Sequence, residues 1–236
     1  MAMLQGKERA AYVQNMFDRI ALRYNLMNRL MTFGQDVGWR KFVVKQAKLT
    51  PNSKMLDLAT GTGDIAFEAA RTVPGLVTIG GDFSLGMMIE GQKQPMGDKI
   101  MWSGADALNL PFGDATFDAL TAGYLMRNVI DIPRAFEEQR RVLKHGGRLV
   151  LLDTAPPPHN LLRPFTLFYL KYVIPTLGRL ISGNADAYEY LPSSTQKFKT
   201  PDELAALMRD AGFANVQYRT FMFGTMAVHW GEKPSA

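Results

Sequence analysis

Short apolar runs alternate with amphipathic stretches along most of this chain, and the alternation predicts a mostly parallel sheet wrapped by helices. From Gln14 to Lys48, the residues Met16, Ile20, Tyr24, Met27 and Met31 recur at helical spacing. They predict an amphipathic entry segment, broken at Thr32-Phe33-Gly34 and followed by a second helix around Trp39 to Ala47. After the turn residues Thr50-Pro51-Asn52-Ser53, the run Lys54-Met55-Leu56-Asp57-Leu58 reads as a short buried strand. A glycine-rich stretch, Ala59 to Asp64, then leads into helix-forming Ile65 to Ala70 and completes one βα unit. Leu76 to Gly80, ending at Asp82, is a second strand, and Lys99 to Ser103, Ala119 to Gly123 and Arg148 to Asp153 are three more. Helices are expected over Leu85 to Gln92 and Pro133 to Leu143. Such a succession winds with right-handed crossovers.

Beyond Thr154 the pattern changes. Pro156-Pro157-Pro158 opens a loop, and Leu161 to Ile181 is rich in Leu, Phe, Tyr and Ile but interrupted by Pro164 and Pro175, which suits an inserted cover better than sheet. A helix over Pro201 to Ala211 and an antiparallel pair, Val216 to Phe223 with Met226 to Trp230, should close the chain. At 236 residues and 47% apolar content the sequence fits one domain over 1–236. Its parts are a helical segment to residue 50, a cofactor-binding core over 51–154, a cover over 155–200 and a closing unit over 201–236.

Composition narrows the function. The net charge of +5 comes from Lys and Arg that form no run, so a nucleic-acid partner is not expected. There is no cysteine, which excludes disulfides, thiolate zinc sites and cysteine nucleophiles; no metal site is expected. With no signal-peptide order at the N-terminus and no apolar stretch of about 20 residues, a cytoplasmic protein, at most peripheral to the inner face of a membrane, is expected.

The strongest local signal is Asp57-Leu58-Ala59-Thr60-Gly61-Thr62-Gly63-Asp64. Glycines let the backbone approach a ligand, and the following helix start offers unpaired amides and partial positive charge. Gly61-x-Gly63-x-x-Ala66 with Asp82 downstream also satisfies a dinucleotide fingerprint. The acid Asp57 before the glycines argues against that: it would repel phosphates and suits a cationic ligand end, such as the ammonium of a methionyl group.

Asp57 to Asp64 resembles the first motif of class I methyltransferases, which cradles the methionyl part of S-adenosylmethionine. Phe17-Asp18-x-x-Ala21-x-x-Tyr24-Asn25-x-Met27-Asn28-x-x-Met31-x-Phe33-Gly34 with Trp39-Arg40 is similar to the N-terminal signature of the ubiquinone and menaquinone biosynthesis C-methyltransferases. So are Arg127-Asn128-Val129, Arg141-Val142-Leu143-Lys144-x-Gly146-Gly147-Arg148 and Asn184-Ala185-Asp186-x-Tyr188-x-Tyr190-Leu191. The resemblance runs from Phe17 to Trp230. It departs at Leu125, His145, Asp153 and Ala155, where the family usually has Gly, Pro, Glu and Ser, and at Asn25, which replaces a usual Asp.

The resemblance implies a Rossmann-like α/β fold of the class I methyltransferase type: a seven-stranded sheet with helices on both faces. It implies S-adenosylmethionine as cofactor, held by Asp57, Ala59, Gly61, Thr62, Gly63, Asp82, Phe83, Asp106, Ala107 and Gly123. Asp82 would accept the ribose hydroxyls and Asp106 the adenine amine. The acceptor would be a lipophilic quinol such as demethylmenaquinol, with Tyr24, Asn28, Asn128 and Tyr190 around it and Arg127 and Tyr188 catalytic. Arg127 would hold the ring oxyanion whose charge spreads to the ortho carbon. No base is legible, since His145, His159 and His229 have no evident partner, and a water would serve. Contact with a membrane surface and a homodimer are compatible with this reading. Its rivals are an NAD-binding oxidoreductase, a methyltransferase for another lipophilic phenol or enol, and a carrier or assembly subunit that binds the cofactor without turnover.

Overall fold

The computed structural model describes residues 6–182 and 185–235. Asn184 of the cover motif lies outside the described residues. Seven strands form one sheet: β1 (Lys54–Leu58), β2 (Val77–Asp82), β3 (Met101–Gly104), β4 (Phe117–Gly123), β5 (Leu143–Thr154), β6 (Ala214–Phe221) and β7 (Met226–Glu232). Their order is β3-β2-β1-β4-β5-β7-β6, with β7 antiparallel to both of its neighbours and the other pairs parallel.

Alternation along the strands decides what packs on each face. Met55, Ala119, Val150 and Leu152 face one way and bury against Trp39 and Val43 of α3 (Asp36–Gln46) and Ile65 and Ala69 of α4 (Asp64–Thr72); α5 (Leu85–Gln92) follows β2. Leu56, Leu120, Leu149 and Leu151 face the other way, against Phe136 of α6 (Ile132–Val142) and Leu204 and Met208 of α10 (Pro201–Asp210). Each such leucine, fully buried, contributes about 1.5–3 kcal/mol. The helices thus lie on both faces of a seven-stranded sheet, as expected.

A third core sits beyond the strand ends. Met16 and Ile20 of α1 (Gly6–Ile20) and Met27 and Met31 of α2 (Tyr24–Met31) pack on Leu170, Ile174 and Tyr188. Those partners come from the cover: α7 (Arg163–Phe168), a wide π turn (Tyr169–Val173), α8 (Ile174–Ser182) and α9 (Ala185–Lys197).

Three expectations are corrected. The entry segment is interrupted before Thr32, by a 3-10 turn over Ala21–Arg23, as well as by the left-handed residues Phe33 and Gly34. Strand β5 begins at Leu143 rather than Arg148, because Gly146 and Gly147 pair with Lys233 and carry the turn-like Lys144 to Gly147 into the sheet as an irregularity. Pro164 and Pro175 do not interrupt the cover helix. Pro164 lies in the first turn of α7, where no N–H is needed, and Pro175 follows directly on the wide turn, which absorbs its missing donor.

Candidate active site

Two cavities meet at the C-terminal end of β4. The loop-side cavity, of about 470 Å³, is lined by Ala59 and Gly61 of the glycine loop, Asp82, Phe83 and Ser84 after β2, Asp106 to Leu108 after β3, and Gly123, Leu125, Asn128 and Val129 after β4. The second, of about 380 Å³, is mostly apolar and lies between α1, α2 and the cover. Phe17, Tyr24 and Tyr124 line both. This is the crevice beyond the strand ends where open α/β sheets place ligands.

The glycine loop is shaped by left-handed residues, Ala59 (φ 55°), Gly61 (φ 57°) and Gly63 (φ 88°). A side chain on Gly61 would press on Met87, and one on Gly63 would meet Phe67 and Trp102 at 2.8 Å. Asp82 accepts the Gly61 N–H at 2.6 Å and the Ser84 N–H at 2.8 Å, which fixes its carboxylate on the cavity wall. Asp57 lies beneath the loop, fully buried, with its oxygens taken by the hydroxyls of Thr60 (2.7 Å) and Thr121 (2.6 Å). Burial pushes its carboxyl up to about 6. Thr62 and Gly63 also stand behind the wall rather than in it, so these three residues shape the cavity while Ala59, Gly61, Asp82, Phe83, Asp106, Ala107 and Gly123 line it.

The signature in the first helices has a structural meaning that spacing alone did not give. Gln14 donates to the Phe83 carbonyl at 2.8 Å, and Asp18 accepts from Ser84 Oγ and from the Gly86 N–H. Asn25 accepts the Thr62 hydroxyl at 2.8 Å. Buried Arg40 bridges Asp36 and Asp64, each at 3.1 Å, which pins α3 to the start of α4. The helical segment is thereby clasped to the glycine loop and to the turn after β2. Helical spacing of Gln14, Asp18 and Asn25 was the available signal, but their partners lie 37 or more residues away.

In the apolar cavity, Arg127 is 7% exposed and donates to Asp153 at 2.6 Å, while its backbone N–H donates to the same carboxylate at 3.2 Å. Burial disfavours its charge, but Asp153 more than offsets this and leaves its pKa raised. The guanidinium also lies 5.0 Å from the centre of the ring of Tyr124, one of the three residues that line both cavities. Tyr124 is left-handed at φ 59°, the kind of backbone outlier that collects at functional sites. Tyr24, Asn28, Tyr188 and Tyr190 line the same cavity. Tyr190 donates to Asn128 at 3.0 Å, and Asn128 donates to the Tyr124 carbonyl at 2.9 Å, so the cover is tied to the end of β4. Burial raises the phenol pKa of both Tyr24 and Tyr124, so both are neutral donors at ordinary pH. The three histidines lie elsewhere: His145 Nδ1 meets the Pro234 carbonyl, His159 meets Arg163, and buried His229 meets the Pro201 carbonyl.

The arrangement is a polar-edged slot and an apolar tunnel that share two tyrosines, beside one buried cation. The model of the ubiE/COQ5 methyltransferase family matches residues 3–233. The chain belongs to that family. Among its relatives, a ubiquinone/menaquinone biosynthesis C-methyltransferase of Desulfotalea psychrophila is 51% identical over 94% of this chain and 90% of its own. A demethylmenaquinone methyltransferase of Thermus thermophilus is 43% identical over 93% of this chain and 100% of its own. Solved structures share the fold at lower identity. A SAM-dependent methyltransferase of Thermotoga maritima superposes with a TM-score of 0.66 at 22% identity, over 93% of this chain and 98% of that one. The [4+2]-cyclase SpnF superposes at 0.69 with 16% identity, over 95% of this chain and 96% of that one. The cyclase is a reminder that fold alone does not fix chemistry. Family membership is what makes this chain a methyltransferase.

Proposed function

We propose that this methyltransferase, acting as one catalytic domain, moves a methyl group from S-adenosylmethionine to a ring carbon of a prenylated quinol, with demethylmenaquinol the preferred acceptor. The names carried by its full-length relatives support the reading. The observation that carries it is the junction: a polar-edged cavity and an apolar one meet at Tyr24 and Tyr124, beside the buried cation of Arg127.

The loop-side residues fit an adenosyl group. Asp82 accepts ribose hydroxyls, Asp106 takes the adenine amine, and Phe83, Ala107, Leu108 and Val129 supply an apolar slot for a flat ring. When bound, the cofactor supplies an electrophilic methyl on a sulfonium. Arg127 stabilises the oxyanion of the acceptor ring, whose charge reaches the ortho carbon, and Asp153 fixes the guanidinium so that no reorganisation is needed at reaction. Tyr24 and Tyr124 hold the ring against the methyl-transfer gap, and the apolar walls exclude water that would solvate the oxyanion. Tyr188 and the Tyr190–Asn128 pair close the cover side. No helix among the described residues is long and apolar enough to cross a membrane, and we read the protein as working on the cytoplasmic side, peripheral to the bilayer that stores its acceptor.

The test is transfer of labelled methyl to short-tailed demethylated naphthoquinols and benzoquinols by the wild type and Arg127→Ala. Label in the ring, lost in the variant while cofactor affinity persists, is the expected result. Cofactor binding with no transfer to either ring would return the acceptor to another lipophilic phenol or enol, or the chain to a carrier role.

A further inference from the structure

Two helices beside the apolar cavity turn their hydrophobic residues the wrong way. Along α2 and its approaches, Leu22, Leu26, Leu30 and Phe33 are exposed at four-, four- and three-residue steps. Along α7 and the wide turn, Leu161, Phe165, Phe168 and Tyr172 are exposed at steps of four, three and four. Leu26 and Leu30 lie one turn apart on α2, and Phe165 and Phe168 likewise on α7; Leu22, Phe33, Leu161 and Tyr172 extend each exposed set onto the segments that flank the helices. The opposite sides, Met27 and Met31 in the first and Leu170 and Ile174 in the second, are already buried in the core, so the outward stripes are additional apolar faces. Phe33 of the first set and Phe165 of the second both line the apolar cavity, together with Leu162 and Phe223, and all four are also exposed.

Two of these rings are held out at a conformational cost. Phe33 (φ 52°, 73% exposed) and Phe223 (φ 56°, 70% exposed) are both left-handed, a region that disfavours large side chains. Neither folding nor solubility gains from strain that presents a phenyl ring to water. Charge gives the remaining clue. Residues 19–35 and 154–182 carry Arg19, Arg23, Arg29, Arg163, Lys171 and Arg179 and not one Asp or Glu, in a chain that has 22; of these six, Arg29 is paired with buried Asp36 just beyond the first segment. A surface that must approach negative charge is free of carboxylates for that reason.

We propose that the two stripes and the aromatic rim form a docking platform for an anionic lipid bilayer, which opens the apolar cavity directly onto the acyl region so that a tailed acceptor enters without crossing water. The proposal deepens the tailed-quinol reading and rests on it for the identity of what enters. Exposed apolar residues flanked by basic ones are the pattern of in-plane membrane attachment, and aromatic side chains favour the interface.

The experiment is co-sedimentation of the full chain, without substrate, with vesicles of phosphatidylcholine alone or mixed with phosphatidylglycerol. The wild type should bind the mixed vesicles, release them at high salt, and bind the neutral vesicles about tenfold less well. Leu161→Ser with Phe168→Ser, which does not touch the cavity, should weaken binding about tenfold while turnover of a tailless quinol is unchanged. Arg19→Glu with Lys171→Glu is a second variant on an independent principle and should lose the preference for anionic vesicles. Absence of wild-type binding to mixed vesicles, or binding unaltered in both variants, overturns the proposal. So does a concentration-dependent dimer in ultracentrifugation that Leu161→Ser with Phe168→Ser dissociates, since a second copy would then cover this face. Vesicle binding with no turnover of any quinol would count against the acceptor assignment and leave the platform standing; turnover of the tailless quinol without vesicle binding would do the reverse.

Discussion

The two cavities are walled by opposite means. The loop-side wall is largely backbone and strand ends, closed on one side by Val13, Phe17 and Tyr24 and braced from behind by polar pairs: Asp57 with two threonine hydroxyls, Asn25 with Thr62, Asp18 with Ser84, and Arg40 between Asp36 and Asp64. The wall of the apolar cavity is mostly side chains on helices, with Arg127–Asp153 as its buried ion pair and exposed rings among its lining. A ligand of constant shape is suited to the first kind of wall, which cannot adapt. A ring with a long, variable tail is suited to the second, where a substitution changes the pocket without disturbing the sheet.

The sharpest way to break the comparison is at Arg127. Arg127→Leu should lower turnover about 10²–10³-fold, with donor affinity within about twofold of wild type. The same change leaves Asp153 buried without its cation and should cost about 3–5 kcal/mol of stability. Arg127→Leu with Asp153→Leu should recover most of that stability and none of the turnover. Denaturant melts and single-turnover kinetics on the three proteins separate the roles; recovery of turnover in the double variant would show that Arg127 acts only as a structural partner.

The next test is electrostatic and concerns the other wall. Burial raises the Asp57 carboxyl to about 6 from an ordinary 3.8. A group whose pKa is higher in the folded protein contributes stability at low pH and loses it as the pH rises from the unfolded value through the folded one. The donor-free protein is therefore penalised above about pH 6, and a cationic donor end relieves the penalty. Asp57→Asn, which keeps the shape and an acceptor for one hydroxyl, should be more stable than wild type by about 1–3 kcal/mol near pH 8, with the difference fading toward pH 4. It should also bind the donor about tenfold more weakly. Thermal melts across that range, with and without donor, check both signs; a variant that is less stable at every pH would mean that the hydroxyl bonds outweigh the buried charge.

A smaller effect probes the clasp. Asn25→Ala removes one side-chain acceptor from Thr62 and should cost about 1 kcal/mol. Because the bond braces the loop proposed to hold the donor, donor affinity should fall by a few fold while the acceptor KM stays put. A change confined to the acceptor KM would mean that α2 serves the apolar cavity alone.

The same contrast explains what the sequence revealed. Strands β1, β2 and β4 were legible as short apolar runs, and the glycine loop and Asp82 as punctuation at strand ends, because these features are local and set by backbone geometry. The start of β5 was not, since Lys144 to Gly147 become strand only by pairing with Lys233. Arg127 stood out, but its partner Asp153 lies 26 residues on, and nothing in the spacing links them. Periodicity in the entry segment picked out the buried residues Met16, Ile20, Met27 and Met31, and the exposed Leu22, Leu26 and Leu30 were not read from it, because a helix with apolar residues on two sides shows no single face in its spacing. Asp57 drew attention for its charge, but its depth beneath the loop follows from the hydroxyls of Thr60 and Thr121, one of them 64 residues away.

The smallest expected effects use backbone strain, which both walls contain. Ala59 in the glycine loop and Phe223 at the cavity mouth are both left-handed, at φ 55° and φ 56°. Glycine at either position removes the steric penalty of about 1–2 kcal/mol and returns part of it as chain entropy, so each variant should gain up to about 1 kcal/mol in a denaturant melt. Function should separate them. In Ala59→Gly the methyl group leaves the loop-side wall and the backbone path is retained, so donor affinity should change by less than about threefold. In Phe223→Gly the ring leaves the mouth, and vesicle binding and use of a tailed acceptor should fall together although the protein is more stable. If Phe223→Gly instead lost stability, the ring would be packed in solution, and the strain would belong to the fold rather than to the membrane face.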